Sequence, residues 1–277
     1  MKMKNRKVLA TLITLFIVAC STGINLYSDN DETQLGKQFD EEIRKNSKEY
    51  PVYKGDPKVK EYIDKEIFRE ILNSPEVKKT AAYHYQMEII QNDSVLNAFA
   101  VPGGYVYIYT GILKYSYSEA SLDGVIGHEI AHVERRHATQ RITSAYGLQL
   151  VLNIALGSSP SKTAEMVANM FGGLALLANS RSDESESDEF SIKYLKSTRF
   201  YPGSVKFFFE KLRDDGKVSK GGAGIATFLS THPDPIKRIS ETEKMLASSG
   251  IEIKHYTDNG NGIFKDSYKK NIVNKLK

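Results

Sequence analysis

The stretch Gly124-Val125-Ile126-Gly127-His128-Glu129-Ile130-Ala131-His132-Val133 lies in a segment whose apolar residues, Leu122, Val125, Ile126, Ile130 and Val133, recur at helical spacing. On a helix, His128 and His132 project from one face about one turn apart. Two imidazole nitrogens so placed can bind one zinc ion at about 2.0 Å. Glu129 can then reach a water on the metal's open position. Zinc lowers the pKa of such a water to about 7, and a carboxylate can take its proton as the water attacks a carbonyl. Gly124 and Gly127 lower helix propensity just before the pattern, as expected where a strand or ligand passes close by. The bare pattern arises by chance in a chain of this composition with a probability of roughly one per cent, so context must carry it.

Working outward, Ser118 is the expected N-cap of this helix, with Glu119 in its first turn, and the helix is expected to run to about Tyr146. Upstream, Ala81 to Ile90 reads as a strand. Asn97 to Val101 and Tyr105 to Tyr109 read as a hairpin around Pro102-Gly103-Gly104. Earlier helices are expected around Thr33 to Asn46 and from Asp56-Pro57 onward. Downstream come apolar stretches at Leu148 to Leu156 and Met166 to Ala178, then helices at Glu184 to about Thr198, Val205 to Leu212, and Asp234-Pro235 to about Ser248. Gly216 to Gly224 reads as a flexible loop. The expected fold class is therefore α+β: mostly helical, with a small sheet beside the His-Glu-x-x-His helix.

A catalytic zinc needs a third protein ligand. The acidic run Arg181-Ser182-Asp183-Glu184-Ser185-Glu186-Ser187-Asp188-Glu189 offers one. On a helix, Glu184 and Asp188 share a face and Glu186 points the other way. Glu184 is then a candidate ligand, and Asp188 a candidate acceptor for the second N–H of a ligand histidine. Spacing alone does not separate Glu184 from its acidic neighbours. His137, five residues beyond His132, is rotated away from both histidines on a straight helix and cannot join their metal. His84 and His255 read as structural.

Taken in order, Gly127 to Val133, Ser180 to Asp188, and Ser230-Thr231-His232-Pro233 with Arg238-Ile239 resemble one family. It is the zinc metallopeptidase family that includes the CAAX prenyl endopeptidases, HtpX and BepA. Asn97-Ala98-Phe99-Ala100 with Pro102-Gly103-Gly104 also matches the segment preceding that family's catalytic helix, and the resemblance spans about residues 35 to 245. It implies a zincin-like fold with one Zn²⁺ per chain, held by His128, His132 and Glu184, and Glu129 as general base. Ser187 stands where the family's Glu-x-x-Ala-Asp pattern has alanine, with both acids still in register. The resemblance also makes His232 a fourth ligand that gates the site, or a group that stabilises the oxyanion. Arg238 would hold that loop or a neighbouring carboxylate, or pair at the surface. Asn97, Ala98, Phe99 and Ala100 are the expected strand against which a polypeptide substrate pairs.

The N-terminus suggests where such a protein works. Lys2, Lys4, Arg6 and Lys7 precede a short apolar run, Val8 to Ala19, too short to span a bilayer. It reads as a signal peptide over 1–19. Ile17-Val18-Ala19-Cys20 resembles a bacterial lipobox, which would make Cys20 a lipidated first residue and hold the protein to a membrane. Residues 20–50 are then expected as a tether and N-terminal helix, 51–250 as the metallopeptidase domain, and 251–277 as a C-terminal tail. The implied setting is the bacterial envelope, at the periplasmic face of an outer membrane where the cell has two, with other envelope proteins as partners. A net charge of +4 without a basic stripe argues against nucleic acid. The absence of a Gly-rich phosphate loop argues against a nucleotide enzyme. The second reading is a binding or chaperone-like envelope factor whose zinc is latched by His232.

Overall fold

The computed structural model describes residues 25–156, 179–220 and 223–276, together with Asn169 and Gly172. Its sheet has three strands: β1 (Gln86–Ile90), β2 (Ala98–Val101) and β3 (Tyr105–Tyr109), in the order β1-β3-β2. β1 runs parallel to β3, with Gln86 opposite Tyr105, and β2 runs antiparallel, with Phe99 opposite Tyr107. Gly103 and Gly104 turn the β2–β3 hairpin at φ of 75° and 103°, a region that glycine enters without a Cβ clash. Phe99 stacks on Tyr107 across the hairpin, with ring centroids 4.9 Å apart. β2 is therefore an edge strand of this sheet.

Helices surround the sheet. α1 (Asp29–Lys45) starts in a capping box made by Ser28 and Asp31, and buries Leu35, Phe39 and Ile43. α2 (Pro57–Ile63), capped by Asp56, continues through a π-turn at Asp64–Phe68 into α3 (Arg69–Leu72). α4 (Thr110–Tyr115) leads into α5 (Glu119–Glu134), the helix of the His-Glu-x-x-His pattern, N-capped by Ser118. Every residue of α5 is buried. It is thus a central helix covered on all sides and not an amphipathic surface helix. After it come α6 (His137–Leu156), α7 (Arg181–Leu195), α8 (Val205–Asp214), α9 (Lys217–Lys220), α10 (Ala223–Thr231), α11 (Pro235–Ser248) and α12 (Lys265–Asn271). The α+β, mostly helical architecture expected from the sequence is the one observed. No helix among the described residues is long and apolar enough to cross a membrane.

Some local expectations are corrected. The helix from Ser118 does not run to Tyr146. It ends at Glu134, Arg136 takes a left-handed turn at φ 65°, and α6 starts afresh at His137. Tertiary contacts hold that turn: Arg136 Nε donates to the buried Glu32 at 2.8 Å. The strand expected over Ala81 to Ile90 occupies only Gln86–Ile90, and His84 precedes it, exposed. The loop expected at Gly216 to Gly224 contains α9. Beyond residue 250 the chain packs into the core through Ile263, Tyr268 and Ile272. Leu148 to Leu156 completes α6. The signal segment, Cys20 and most of Met166 to Ala178 lie outside the described residues.

Candidate metal centre

The two glycines of α5 set how closely its neighbours approach. A Cβ on Gly124 would lie 2.5 Å from the backbone nitrogen of Val205, at the start of α8. One on Gly127 would lie 2.8 Å from the Ser191 hydroxyl of α7. With no side chain there, both helices close onto α5 and bring their polar residues to His128 and His132.

α7 opens with a capping box, the Ser180 hydroxyl accepting from the Asp183 N–H while the Asp183 carboxylate accepts from the Ser180 N–H. Its face toward α5 carries Glu184 and Asp188, both almost fully buried. His128 Nε2 and His132 Nε2 lie 3.0 Å apart. Glu184 Oε2 is 3.4 Å from His128 Nε2, and Glu184 Oε1 is 3.3 Å from His132 Nε2. His232, just after α10, points its Nδ1 into the same space, 3.4 Å from His128 Nε2 and 3.1 Å from Glu184 Oε1. Ligands on a tetrahedral ion with bonds of about 2.0 Å stand about 3.3 Å from one another. These five separations, 3.0–3.4 Å, are close to that value, and the ligand atoms of the four buried residues all lie within 4.8 Å of one another; imidazole and carboxylate suit a divalent transition ion.

A second ring of contacts fixes these donors. Asp188 Oδ1 accepts from His128 Nδ1 at 2.9 Å, which turns Nε2 toward the centre. Arg238, from α11, is buried and forks across both acids. Its Nε donates to Asp188 Oδ2 at 2.8 Å, its Nη2 to Asp188 Oδ1 at 2.5 Å, and its Nη1 to Glu184. Its guanidinium also lies over the Phe209 ring, 4.2 Å from the centroid. The surface alternative for Arg238 is thus corrected: it lies in the interior beside the carboxylates. Phe228 stacks on His232 at 4.8 Å.

Sequence reasoning missed two participants. Asn179, immediately before the α7 cap, donates through Nδ2 to Glu184 Oε1 at 2.6 Å and lies 3.3 Å from His132 Nε2. His137 stays outside the donor cluster but touches it, because the break at Arg136 re-aims α6. Its Nδ1 is 2.8 Å from His132 Nδ1, and its Nε2 is 2.8 Å from Glu186 Oε2. With Glu186 accepting from Nε2–H, His137 Nδ1 can accept from His132 Nδ1–H, leaving His132 Nε2 bare. Ser187, at the position where alanine was expected, reaches His137 Nδ1 at 3.3 Å. His255 sits elsewhere, 2.8 Å from Glu210, beside the Lys206 ammonium that fills that acidic group.

Electrostatics follow from burial and these partners. Burial raises the Glu129 carboxyl above its ordinary range, against the pull of His232 and His128. Burial and His128 push His132 well down, so it keeps a lone pair. Burial and Arg238 oppose charge on His128, yet Glu184 and Asp188 outweigh them and lift it to about 9. Burial acts against ionised Glu184, but Arg238 and the histidines hold it well below the usual carboxylate range. A cavity of about 430 Å³ opens beside the centre. Its walls include Asn97, Phe99, Ala100 and Val101 of the edge-strand segment, together with Glu129, His132 and His232.

The model of peptidase family M48 matches residues 57–246. The beta-barrel assembly-enhancing protease of Escherichia coli strain K12 is 30% identical over 237 residues, covering 82% of this chain and 46% of that protein. The mitochondrial metalloendopeptidase OMA1 of Arabidopsis thaliana is 32% identical over 166 residues, covering 59% of this chain and 31% of the relative. OMA1 of Schizosaccharomyces pombe is 30% identical over 170 residues, covering 61% and 48%. The chain spans less than half the length of the curated relatives it matches.

Proposed function

Because the chain belongs to peptidase family M48, we propose that it is an exported, lipid-anchored zinc metalloendopeptidase acting on unfolded or misassembled envelope proteins, with Glu129 as general base. The observation that carries the reading is the convergence of His128, His132 and Glu184 at the spacing of three zinc ligands, with Glu129 lining the cavity beside them. Zinc, when bound there, would lower the pKa of a water to about 7 and polarise a carbonyl. Glu129 takes the proton of the attacking water on its carboxylate and passes it to the leaving amine. Burial raises the Glu129 carboxyl above its ordinary range, which favours its holding the proton between the two transfers. Asp188, Glu186 and Arg238 hold the donors in orientation throughout. A substrate chain laid along β2 adds a strand at the sheet edge and runs through the cavity beside Glu129.

The envelope setting is supported by the lipobox-like Cys20 and by the assembly-enhancing proteases among the relatives. Asn25 donates to Glu32 at 3.1 Å and to Thr139 at 2.7 Å, so the chain is already docked five residues after Cys20. Those residues reach at most about 17 Å when extended, which would hold the catalytic domain against the membrane surface.

Glu129→Gln tests the reading. The variant should retain its zinc and lose casein cleavage; cleavage at the parent rate refutes Glu129 as the base. One observation favours a second reading, a latched binding factor: His232 Nδ1 occupies the fourth donor place that a water needs. His232→Ala separates the two. A gain in casein cleavage identifies a latched enzyme, and inactivity with zinc bound identifies the binding factor.

A further inference from the structure

Arg141 of α6 lines the same cavity as Glu129, His132 and Asn179. Its Nε and Nη1, one on each forked edge of the guanidinium, are buried and have no hydrogen-bond partner among the described residues. The nearest carboxylate, Asp183 Oδ2, stands 4.0 Å from Nη1, beyond hydrogen-bond reach. Its side chain is 20% exposed, with Nε and Nη1 themselves shielded from solvent. The neighbouring guanidinium groups are each hydrogen-bonded to a carboxylate: Arg238 to Asp188 and Glu184, Arg135 to Glu186 and Arg136 to Glu32.

A buried cation with unmet donors is costly, and folds keep one where a ligand completes it. The ligand that matches a planar five-donor fork is a carboxylate, bound through paired charge-assisted hydrogen bonds. Carboxylates do stand nearby, Glu49 and Glu129 in the cavity walls and Asp183 and Glu184 on α7, but none of them is hydrogen-bonded to Nε or Nη1. A peptide lying along β2 passes Glu129 and His132 and brings the residues near its scissile bond within reach of α6.

We infer that Arg141 is a specificity-determining residue that binds a carboxylate of the substrate peptide close to the cleaved bond, so that the centre prefers acidic sequence there. This rests on the peptidase reading above. The carboxylate can belong to an Asp or Glu side chain or to the C-terminus of the peptide, and two pairs of probes separate these sources. One pair is a set of internally quenched peptides differing only by Glu against Gln at successive positions. The other is a neutral peptide ending in a free acid against its amide.

The wild type should favour one member of a pair by roughly tenfold or more in kcat/KM, the size of a charge-assisted hydrogen bond in a partly buried site. In Arg141→Gln that ratio should fall to near one, and in Arg141→Lys to an intermediate value. A Glu preference assigns the side chain, and a free-acid preference assigns the terminus. Equal rates within both pairs, or a preference that survives in Arg141→Gln, overturn the inference. Binding of the same peptides to the Glu129→Gln protein, followed by fluorescence anisotropy, reads the same ratios without cleavage. Should the wild type cut none of them, the peptidase reading fails while the binding ratio still decides the role of Arg141. The melting temperature of Arg141→Gln should change little, since only the loose 4.0 Å ion pair with Asp183 is lost; a drop of several degrees would make Arg141 structural and overturn the inference.

Discussion

Replacing Gly124 by alanine tests whether close contact at the start of α8 builds the centre. In an exposed helix interior this change stabilises by about 1 kcal/mol, because alanine loses less backbone entropy. At Gly124 the added Cβ would lie 2.5 Å from two backbone atoms, Ser204 C and Val205 N, and 2.7 Å from Ser204 O. Carbon contacts are comfortable at about 3.5–4.0 Å, so the start of α8 must retreat by about 1 Å. Backbone cannot rotate aside as a side chain can, and such overpacking costs about 1–3 kcal/mol, occasionally more. Because backbone must move, the upper part of that range applies, about 2–3 kcal/mol. Less the propensity gain of about 1 kcal/mol, the expected net loss is about 1–2 kcal/mol, or a fall in melting temperature of about 2–8 °C. Gly127→Ala is the internal control: its Cβ would clash with the Ser191 hydroxyl alone, at 2.8 Å, which can turn away, and would meet Ser191 Cβ and Leu195 Cδ1 at ordinary contact distances of 3.7 and 3.9 Å. That variant should lie within about 1 kcal/mol of the wild type. Urea denaturation at constant m-value measures both. A Gly124→Ala protein as stable as its parent, or less affected than Gly127→Ala, would refute the reasoning.

Arg238→Ala strands the buried carboxylates of Glu184 and Asp188 without their cation, and should cost about 3–5 kcal/mol. Arg238→Lys keeps the charge but not the fork, and should weaken zinc about 10- to 100-fold in chelator competition. Asp123 is buried with Oδ2 unpartnered, and its carboxylate accepts from the Ser204 hydroxyl at 2.6 Å. Burial raises its pKa well above the ordinary value, against the hydrogen bonds from Ser204 and the Gly124 backbone. A carboxyl raised in the folded state costs nothing below its unfolded pKa, and its penalty grows as pH rises toward the folded value. Asp123→Asn should therefore gain stability relative to the wild type from about pH 4 upward, by at most about 4 kcal/mol at pH 7. Parallel melting curves from pH 4 to 7 check this; a gap that shrinks with rising pH contradicts it.

Much of the centre was readable because its chemistry is local in sequence. His128, Glu129 and His132 share one helix, and Glu184 and Asp188 another, so helical spacing alone groups them. Choosing Glu184 over its acidic neighbours required the family resemblance, since several carboxylates stand at one helix N-terminus. The break at Arg136 was not readable, because no glycine or proline marks it; the turn is held by Glu32, more than a hundred residues away. That one break explains why His137, rotated away on a straight helix, instead meets His132. Asn179 precedes a cap and carries no periodic signal of its own. The tail after residue 250 looked polar, yet Tyr268 and Ile272 are fully buried, because two apolar side chains suffice where a groove awaits them.

X-ray absorption at the metal edge, recorded on the purified chain and on His232→Ala, tests the central claim most directly. The account predicts one zinc per chain in a nitrogen and oxygen shell at about 2.0–2.1 Å that includes three imidazoles. His232→Ala should lose one imidazole and keep the metal. A chain without zinc, or a shell unchanged by removal of His232, would contradict it.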